Sequence, residues 1–120
     1  MIVEKGWGNE FIWANTESYC GKLLNFKKGS MSSMHFHAVK DETWLVLSGK
    51  FLVKWIRTGD AELFEKELNV NDVWRNEPLE PHQLICLEEG TILEVSTADN
   101  TEDNYRVMKG DSQNASSDRI

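Results

Sequence analysis

Residues 29–49 read GSMSSMHFHAVKDETWLVLSG and contain two of the three histidines of the chain. The pattern predicts a strand that carries His35 and His37, a short connection, and a second strand that begins at Glu42. Side chains two residues apart leave a strand on the same face, so both imidazoles point to one side. An antiparallel neighbour brings Glu42 back beside them. The third histidine, His82, begins a later strand after a Pro-Leu-Glu-Pro turn that aims it.

The four side chains form a donor set for a divalent transition metal, and we predict His35, His37, Glu42 and His82 as its ligands. Neutral imidazole and carboxylate suit iron, manganese, zinc, nickel or cobalt. Four protein ligands from three strands would leave positions open on the ion, as a catalytic site requires. The alternative is that the first two histidines are ordinary polar residues at a strand end and that His82 caps a turn.

The rest of the chain has the pattern of an all-β protein. Short aromatic and β-branched runs are separated by turn residues at short intervals, which predicts a sandwich or closed barrel. After Ala98 the composition becomes rich in Asn, Asp and Ser, so we expect one domain over residues 1–108 and a flexible polar tail over 109–120. The candidate strands are Glu10–Asn15, Tyr19–Lys27, Ser32–His37, Glu42–Leu47, Lys50–Ile56, Ala61–Glu67, Asp72–Asn76, His82–Leu87 and Thr91–Ser96.

Charge and hydropathy exclude several partners. The formal net charge of −7 argues against binding to nucleic acid and disfavours an anionic membrane surface. No apolar run approaches the ~20 residues of a membrane span. The N-terminus shows no signal peptide, so a cytoplasmic location is expected. Cys20 and Cys86 are expected as buried small hydrophobes rather than as a disulfide.

Gly29, His35, His37, Glu42 and Gly49 match every fixed position of G-x5-H-x-H-x4-E-x6-G, and the segment resembles the first signature motif of the cupin superfamily. Residues 3–10, VEKGWGNE, are similar to the E-K-P-W-G-x-E entry of cupins related to type II mannose-6-phosphate isomerases. Those domains also form the C-terminal part of mannose-1-phosphate guanylyltransferases. Residues 93–106 resemble their ending. The resemblance covers residues 3–106 and implies a cupin-type jelly-roll β-barrel (a double-stranded β-helix), a link to sugar phosphates and a homodimer.

The sequence departs from the pattern of this family at several positions. Gly6 replaces the usual proline before Trp7. In the second cupin motif, G-x5-P-x-G-x-x-H-x3-N, Asn71 stands where glycine is usual. The loop before His82 lacks the inner glycine and is one residue shorter. These changes leave His82 as the fourth ligand and predict a differently shaped loop.

Candidate residues for ligand binding and proton transfer lie around the predicted ligands. Trp44 follows Glu42 by two residues and could line the pocket, with a place in the core as the alternative. Arg106 could bind a phosphate or carboxylate, with a surface ion pair as the alternative. Gln83 could hydrogen-bond at the pocket rim. Glu80 could act as a general base, with a solvated loop carboxylate as the alternative.

Three functions stay open at this stage. The first is a metal-dependent sugar-phosphate isomerase or epimerase that acts on a small molecule such as mannose 6-phosphate. The second is a non-haem iron or manganese dioxygenase-type enzyme, because a His/Glu site with open positions suits that chemistry. The third is a non-catalytic module that binds a small ligand or a metal. The first predicts an anion-binding Arg or Lys within reach of the metal.

Overall fold

A computed structural model describes residues 1–113 of the chain, in which strands form nearly all the regular structure. Every strand pairing within this part is antiparallel. The strands are β1 (Ile2–Lys5), β2 (Gly8–Asn15), β3 (Tyr19–Phe26), β4 (Met34–Phe36), β5 (Glu42–Val46), β6 (Lys50–Ile56), β7 (Leu63–Leu68), β8 (Val73–Asn76), β9 (His82–Glu88), β10 (Gly90–Thr97) and β11 (Tyr105–Met108).

The strands form two sheets that enclose one core. The first sheet has six strands in the order β1-β2-β3-β10-β5-β8, and the second has five in the order β11-β4-β9-β6-β7. Alternate side chains of the central strands point inward, which makes a core of small and large apolar groups. The most completely buried apolar side chains include Val46, Phe51, Val53, Leu68, Leu84 and Ile92.

The nine predicted strands are all present, with ends that differ by two residues at most. Ser32–His37 shortens to the three residues of β4, so His37 lies just beyond its end. The sequence pattern missed β1 and β11. Every residue of β11 is exposed, and it exists because its backbone pairs with β4 and Tyr105 stacks on Phe36. A strand without a buried face carries no hydrophobic alternation.

Residues 109–113, which we assigned to the tail, lie against the barrel. The Asp111 carboxylate accepts a hydrogen bond from the backbone N–H of Met31 (2.7 Å), and the Ser112 hydroxyl accepts one from the N–H of Gly6 (3.0 Å). Residues 114–120 of the predicted tail lie outside the described residues. A domain boundary at 108 therefore stays a prediction.

No helix within residues 1–113 has the length and apolar character needed to cross a membrane.

Candidate metal centre

The three histidines meet where β4 pairs with the start of β9. His35 on β4 lies directly opposite His82 on β9, and His37 follows β4. The ring centroid of His35 lies 4.6 Å from that of His82 and 5.1 Å from that of His37, and the centroids of His37 and His82 are 5.7 Å apart. One ring nitrogen of each histidine lies within 4.8 Å of the others, a spacing suited to a shared metal ion. The structure thus brings together side chains that are up to 47 residues apart in sequence.

Backbone carbonyls fix the orientation of all three imidazoles. Nδ1 of His35 lies 2.9 Å from the carbonyl oxygen of Ser33, and Nδ1 of His37 lies 2.5 Å from that of Asp103. Nδ1 of His82 lies 3.0 Å from the carbonyl oxygen of Glu80. A carbonyl can only accept, so each Nδ1 carries the proton and each Nε2 lone pair is free in the neutral ring. This is the arrangement of a metal-binding histidine, whose second nitrogen is held by an outer partner.

Glu42, the first residue of β5, completes the cluster. Its Oε2 lies 3.9 Å from Nε2 of His37, and its Oε1 lies 2.8 Å from Nε2 of His82. Among the described side chains, His82 Nε2 is the buried nitrogen or oxygen left without a hydrogen-bond partner. A cation bound between this nitrogen and the carboxylate would satisfy both groups.

Burial keeps two of the imidazoles neutral. It lowers the pKa of His35 to about 3, and the neighbouring His82 adds to the shift. Burial also lowers the pKa of His37, against the opposing effect of Glu42. Metal ions bind the neutral imidazole, so these two rings are in the binding form across the physiological pH range.

Behind Glu42 lies a network of buried charges that the sequence analysis missed. Lys40 is its centre: its Nζ lies 3.5 Å from Glu42, 3.6 Å from Glu94 and 3.1 Å from Asp99. Lys22 joins the network through Asp99 at 3.3 Å and through Glu10 at 3.6 Å. The available signal was Lys22 itself, because β3 reads YCGKLLNF and a charge inside an apolar strand needs a buried partner.

Trp44 belongs both to this network and to the core. It is buried in the central apolar cluster and also lines the cavity beside the histidines. Its indole N–H donates to Oε1 of Glu94 at 3.0 Å. Burial raises the pKa of Glu94 to about 7, and the nearby charge of Glu42 acts in the same direction. The two interpretations of Trp44, pocket wall and core, are therefore compatible.

A cavity of about 290 Å³ opens beside the cluster. Its wall includes five of the predicted site residues, His35, His37, Glu42, Trp44 and Arg106. His82 is more deeply buried than these and lies behind the wall. Basic groups also reach the cavity. They are Lys5, Lys22, Lys40 and Arg106.

The remaining predicted residues occupy different places. Arg106 is exposed on β11, opposite His35, and no carboxylate of residues 1–113 forms an ion pair with it. Gln83 lies outside the cavity wall, and its side chain donates to the carbonyl oxygen of Ser32 at 3.0 Å. The carboxyl of Glu80 also lies outside the wall, and its backbone carbonyl holds His82.

The loop that presents His82 keeps a glycine-like backbone without a glycine. Leu79 has φ of 69°, in the left-handed region that favours glycine. Its N–H donates to the carbonyl oxygen of His37 at 2.6 Å, and its own carbonyl accepts from the hydroxyl of Thr58 at 2.8 Å. These bonds hold the loop although the second cupin motif is incomplete.

Asp103 ties the segment after β10 to the histidine pair. Its carboxylate accepts from the backbone N–H groups of Ala38, Val39 and Lys40 at 2.7, 3.1 and 2.9 Å. Burial alone raises the pKa of Asp103, but the three amides outweigh it and hold the pKa below its usual range. A carboxyl with a lower pKa in the folded state stabilises the protein above its unfolded pKa. That contribution disappears as the pH falls through the folded pKa.

We therefore expect Asp103→Asn to lower the free energy of unfolding by about 1 kcal/mol at pH 7, as for loss of a side-chain cap on backbone amides. The difference from the wild type should be smaller at pH 3, below the pKa of 3.8 of an unperturbed aspartate, because the carboxyl of the unfolded chain is then largely protonated and part of the stabilisation is lost. Urea denaturation at both pH values measures this. The control is Glu102→Gln, the same chemical change one residue away on an exposed side chain. An equal loss in both variants, or a loss that does not change with pH, would contradict the assignment.

The sequence matches no protein-family model and no curated protein. Solved structures do resemble it. KdgF from Halomonas sp. aligns with a TM-score of 0.67 and 18% identity over 78% of this chain and 81% of that one. Oxalate decarboxylase from Bacillus subtilis aligns with a TM-score of 0.74 and 19% identity, over 88% of this chain and 29% of that one. CapF from Staphylococcus aureus aligns with a TM-score of 0.76 and 18% identity, over 90% and 32%.

The chain thus spans about a third of the length of the last two proteins and most of KdgF. At this level of identity the likeness concerns the fold. The two antiparallel sheets around one core agree with the fold of these neighbours. The predicted fold is confirmed: the chain has the cupin-type jelly-roll fold.

Proposed function

We propose that this protein binds a divalent transition metal through His35, His37, His82 and Glu42 and uses it on a small anionic ligand in the adjacent cavity. One observation carries the metal proposal. Three imidazoles donate their Nδ1–H groups to three backbone carbonyls, which leaves three Nε2 atoms beside a buried carboxylate. One of these, His82 Nε2, is buried without a hydrogen-bond partner 2.8 Å from Glu42.

Charge supports the same proposal. The network around the cluster contains four carboxyl groups against three ammonium groups, and neutral imidazoles add nothing. With all four carboxyls ionised it has a formal excess of one negative charge, which favours a bound cation in an environment where unpaired charge is costly. The groups are Glu10, Glu42, Glu94, Asp99, Lys5, Lys22 and Lys40.

A metal in this position would supply Lewis-acid polarisation of a ligand oxygen. Side chains of the protein supply binding and orientation. Arg106 lines the cavity and is free of ion pairs among the described residues, so its guanidinium is available to a phosphate or carboxylate. Trp44 and the aromatic pair Trp7 and Phe26 provide an apolar wall on which the body of the ligand can lie.

These features favour, within the proposal, a sugar-phosphate isomerase or epimerase. A sugar phosphate has an anionic group for Arg106 and carbonyl or hydroxyl oxygens for the metal. Proton transfer would need a group at the cavity wall, and Glu94 is a better placed carboxyl than the predicted base Glu80. Gln83 contributes by holding the segment around Ser32 rather than by touching the ligand. A homodimer stays part of the proposal, since β1 is the outer strand of its sheet.

The test is elemental analysis of purified, untagged protein beside three variants. We expect near-stoichiometric metal in the wild type. In His35→Ala and Glu42→Gln, which each change a direct ligand, the metal affinity should fall by more than the ~10–100-fold that the loss of an outer hydrogen-bond partner costs. Glu80→Gln is the matched control, because it makes the same carboxyl-to-amide change outside the cavity wall. It should keep its metal. Circular dichroism checks that each variant is folded.

Absence of metal from the wild type, even after reloading, would overturn the proposal and leave a metal-free binding module. If metal is present, its identity and its reactivity separate the remaining functions. Iron or manganese with oxygen uptake in the presence of a diol or thiol would indicate the dioxygenase-type enzyme. Metal without any turnover of sugar phosphates or uptake of oxygen would indicate a metal-containing binding module.

A further inference from the structure

Glu42 is held on one oxygen by a residue outside the predicted site. In the pairing of β5 with β8, Glu42 lies directly opposite Asn76. The Asn76 side chain is 1% exposed and that of Glu42 is 3% exposed. Nδ2 of Asn76 donates to Oε1 of Glu42 at 3.1 Å. This is the same oxygen that faces His82, so Asn76 touches the part of the carboxylate that points to the histidines.

Trp74 determines which way the Asn76 amide faces. The two side chains lie two residues apart on β8, on one face of the strand. The indole N–H of Trp74 donates to Oδ1 of Asn76 at 2.8 Å. An indole nitrogen can only donate, so the amide oxygen must face Trp74 and the NH₂ group must face Glu42. If the amide were reversed, its oxygen would face the Glu42 carboxylate and its NH₂ group would face the Trp74 N–H, and both contacts would be repulsive.

The chemistry of an amide suits a metal-binding carboxylate. Lys40 approaches the other oxygen, Oε2, at 3.5 Å as an ion pair with little directional preference. Asn76 supplies a directional hydrogen bond without adding positive charge. It therefore fixes the rotation of the carboxylate and leaves its negative charge for a cation.

We infer that Asn76 is the positioning residue that orients Glu42 for metal binding, and that Trp74 locks the Asn76 amide in the required direction. This inference rests on the proposed function, since it assumes that Glu42 is a metal ligand. It adds two residues that neither the motif nor the spacing of the histidines indicates.

The test measures the Co²⁺ dissociation constant of metal-free protein by competition with a chelator, together with the visible absorption of the Co²⁺ form. Asn76→Leu removes the donor at nearly constant volume. Trp74→Phe keeps an aromatic ring and removes only the N–H that orients the amide. Trp55→Phe is the matched control: its ring centroid lies 4.5 Å from that of Trp74, and its indole makes no hydrogen bond among residues 1–113.

We expect Asn76→Leu to weaken Co²⁺ binding roughly 10–100-fold and to change the visible spectrum, as loss of an outer partner does. Trp74→Phe should weaken binding as well, but less than Asn76→Leu does, because the amide is still present and can then turn over. Trp55→Phe should bind as the wild type does. A purely structural role of the tryptophan pair would affect the two tryptophan variants equally.

Wild-type affinity in both Asn76→Leu and Trp74→Phe would overturn this inference while the metal proposal stands. Equal weakening in Trp74→Phe and Trp55→Phe would also overturn it. If Asn76→Leu fails to fold, the comparison of the two tryptophan variants decides alone. A wild-type protein that binds no Co²⁺ would overturn the metal proposal and this inference together.

Discussion

Lys40→Met is expected to lower the free energy of unfolding by about 3–5 kcal/mol, the cost of removing one partner from a buried ion pair. Lys40 is 5% exposed and lies against three carboxylates, those of Glu42, Glu94 and Asp99. Burial alone lowers the pKa of the ammonium, but the carboxylates outweigh it and raise the pKa, so the group is charged. Methionine fills similar space and leaves the carboxylates without their shared cation.

Urea denaturation in the presence of a chelator measures this loss without a contribution from bound metal. The matched control is Lys50→Met, whose ammonium pairs with Glu67 at 3.5 Å while both side chains are more than a third exposed. An exposed pair of this kind contributes about 0–1 kcal/mol. Similar losses in the two variants would show that burial of the Lys40 network does not stabilise the fold in the way described.

Phe51→Ala is expected to cost about 3–5 kcal/mol, because it removes a large side chain that is completely buried. The loss also reaches the site. Phe51 packs edge-on against Phe26 at 5.6 Å between centroids, and Phe26 stacks on Trp7 at 4.0 Å. Phe26 and Trp7 both line the cavity, so a void behind them loosens one wall of the ligand pocket.

Phe11→Ala is the control for this prediction, since Phe11 is 39% exposed and lies on β2 near the edge of the first sheet. Its loss should be about 1 kcal/mol. Denaturation curves for both variants give the comparison. If Phe51→Ala lowered the free energy of unfolding only slightly, the core would have closed around the missing ring. The cavity wall formed by Phe26 and Trp7 would then not depend on Phe51.

Departures from the family pattern have physical reasons that only the structure shows. Gly6 stands where proline is usual, and its N–H donates to the Ser112 hydroxyl, a bond that proline cannot make. A Cβ at this position would lie 2.5 Å from the backbone of Asp111. The C-terminal segment that lies here therefore requires glycine. Asn71, in the other changed position, has φ of 73°, a left-handed conformation that asparagine tolerates.

Local pattern was sufficient for the parts of the site that come from one segment. His35 and His37 share a strand face by alternation, and Glu42 follows at the start of the next strand. The same alternation predicted nine strands and the all-β fold. The alternation did not predict β1 and β11, because neither strand has a buried face.

The sequence by itself thus determined nine of the strands and the grouping of His35, His37 and Glu42, because these depend on spacing within short segments, and the resemblance of that segment to the cupin motif implied the barrel. Only the tertiary structure decided the surroundings of Glu42. Asn76 reaches it from 34 residues away through the register of β5 with β8, and Glu94 reaches Trp44 from 50 residues away. Such contacts depend on which strands become neighbours and in which register. No local period in the sequence encodes that choice, which is settled by burial of the whole core.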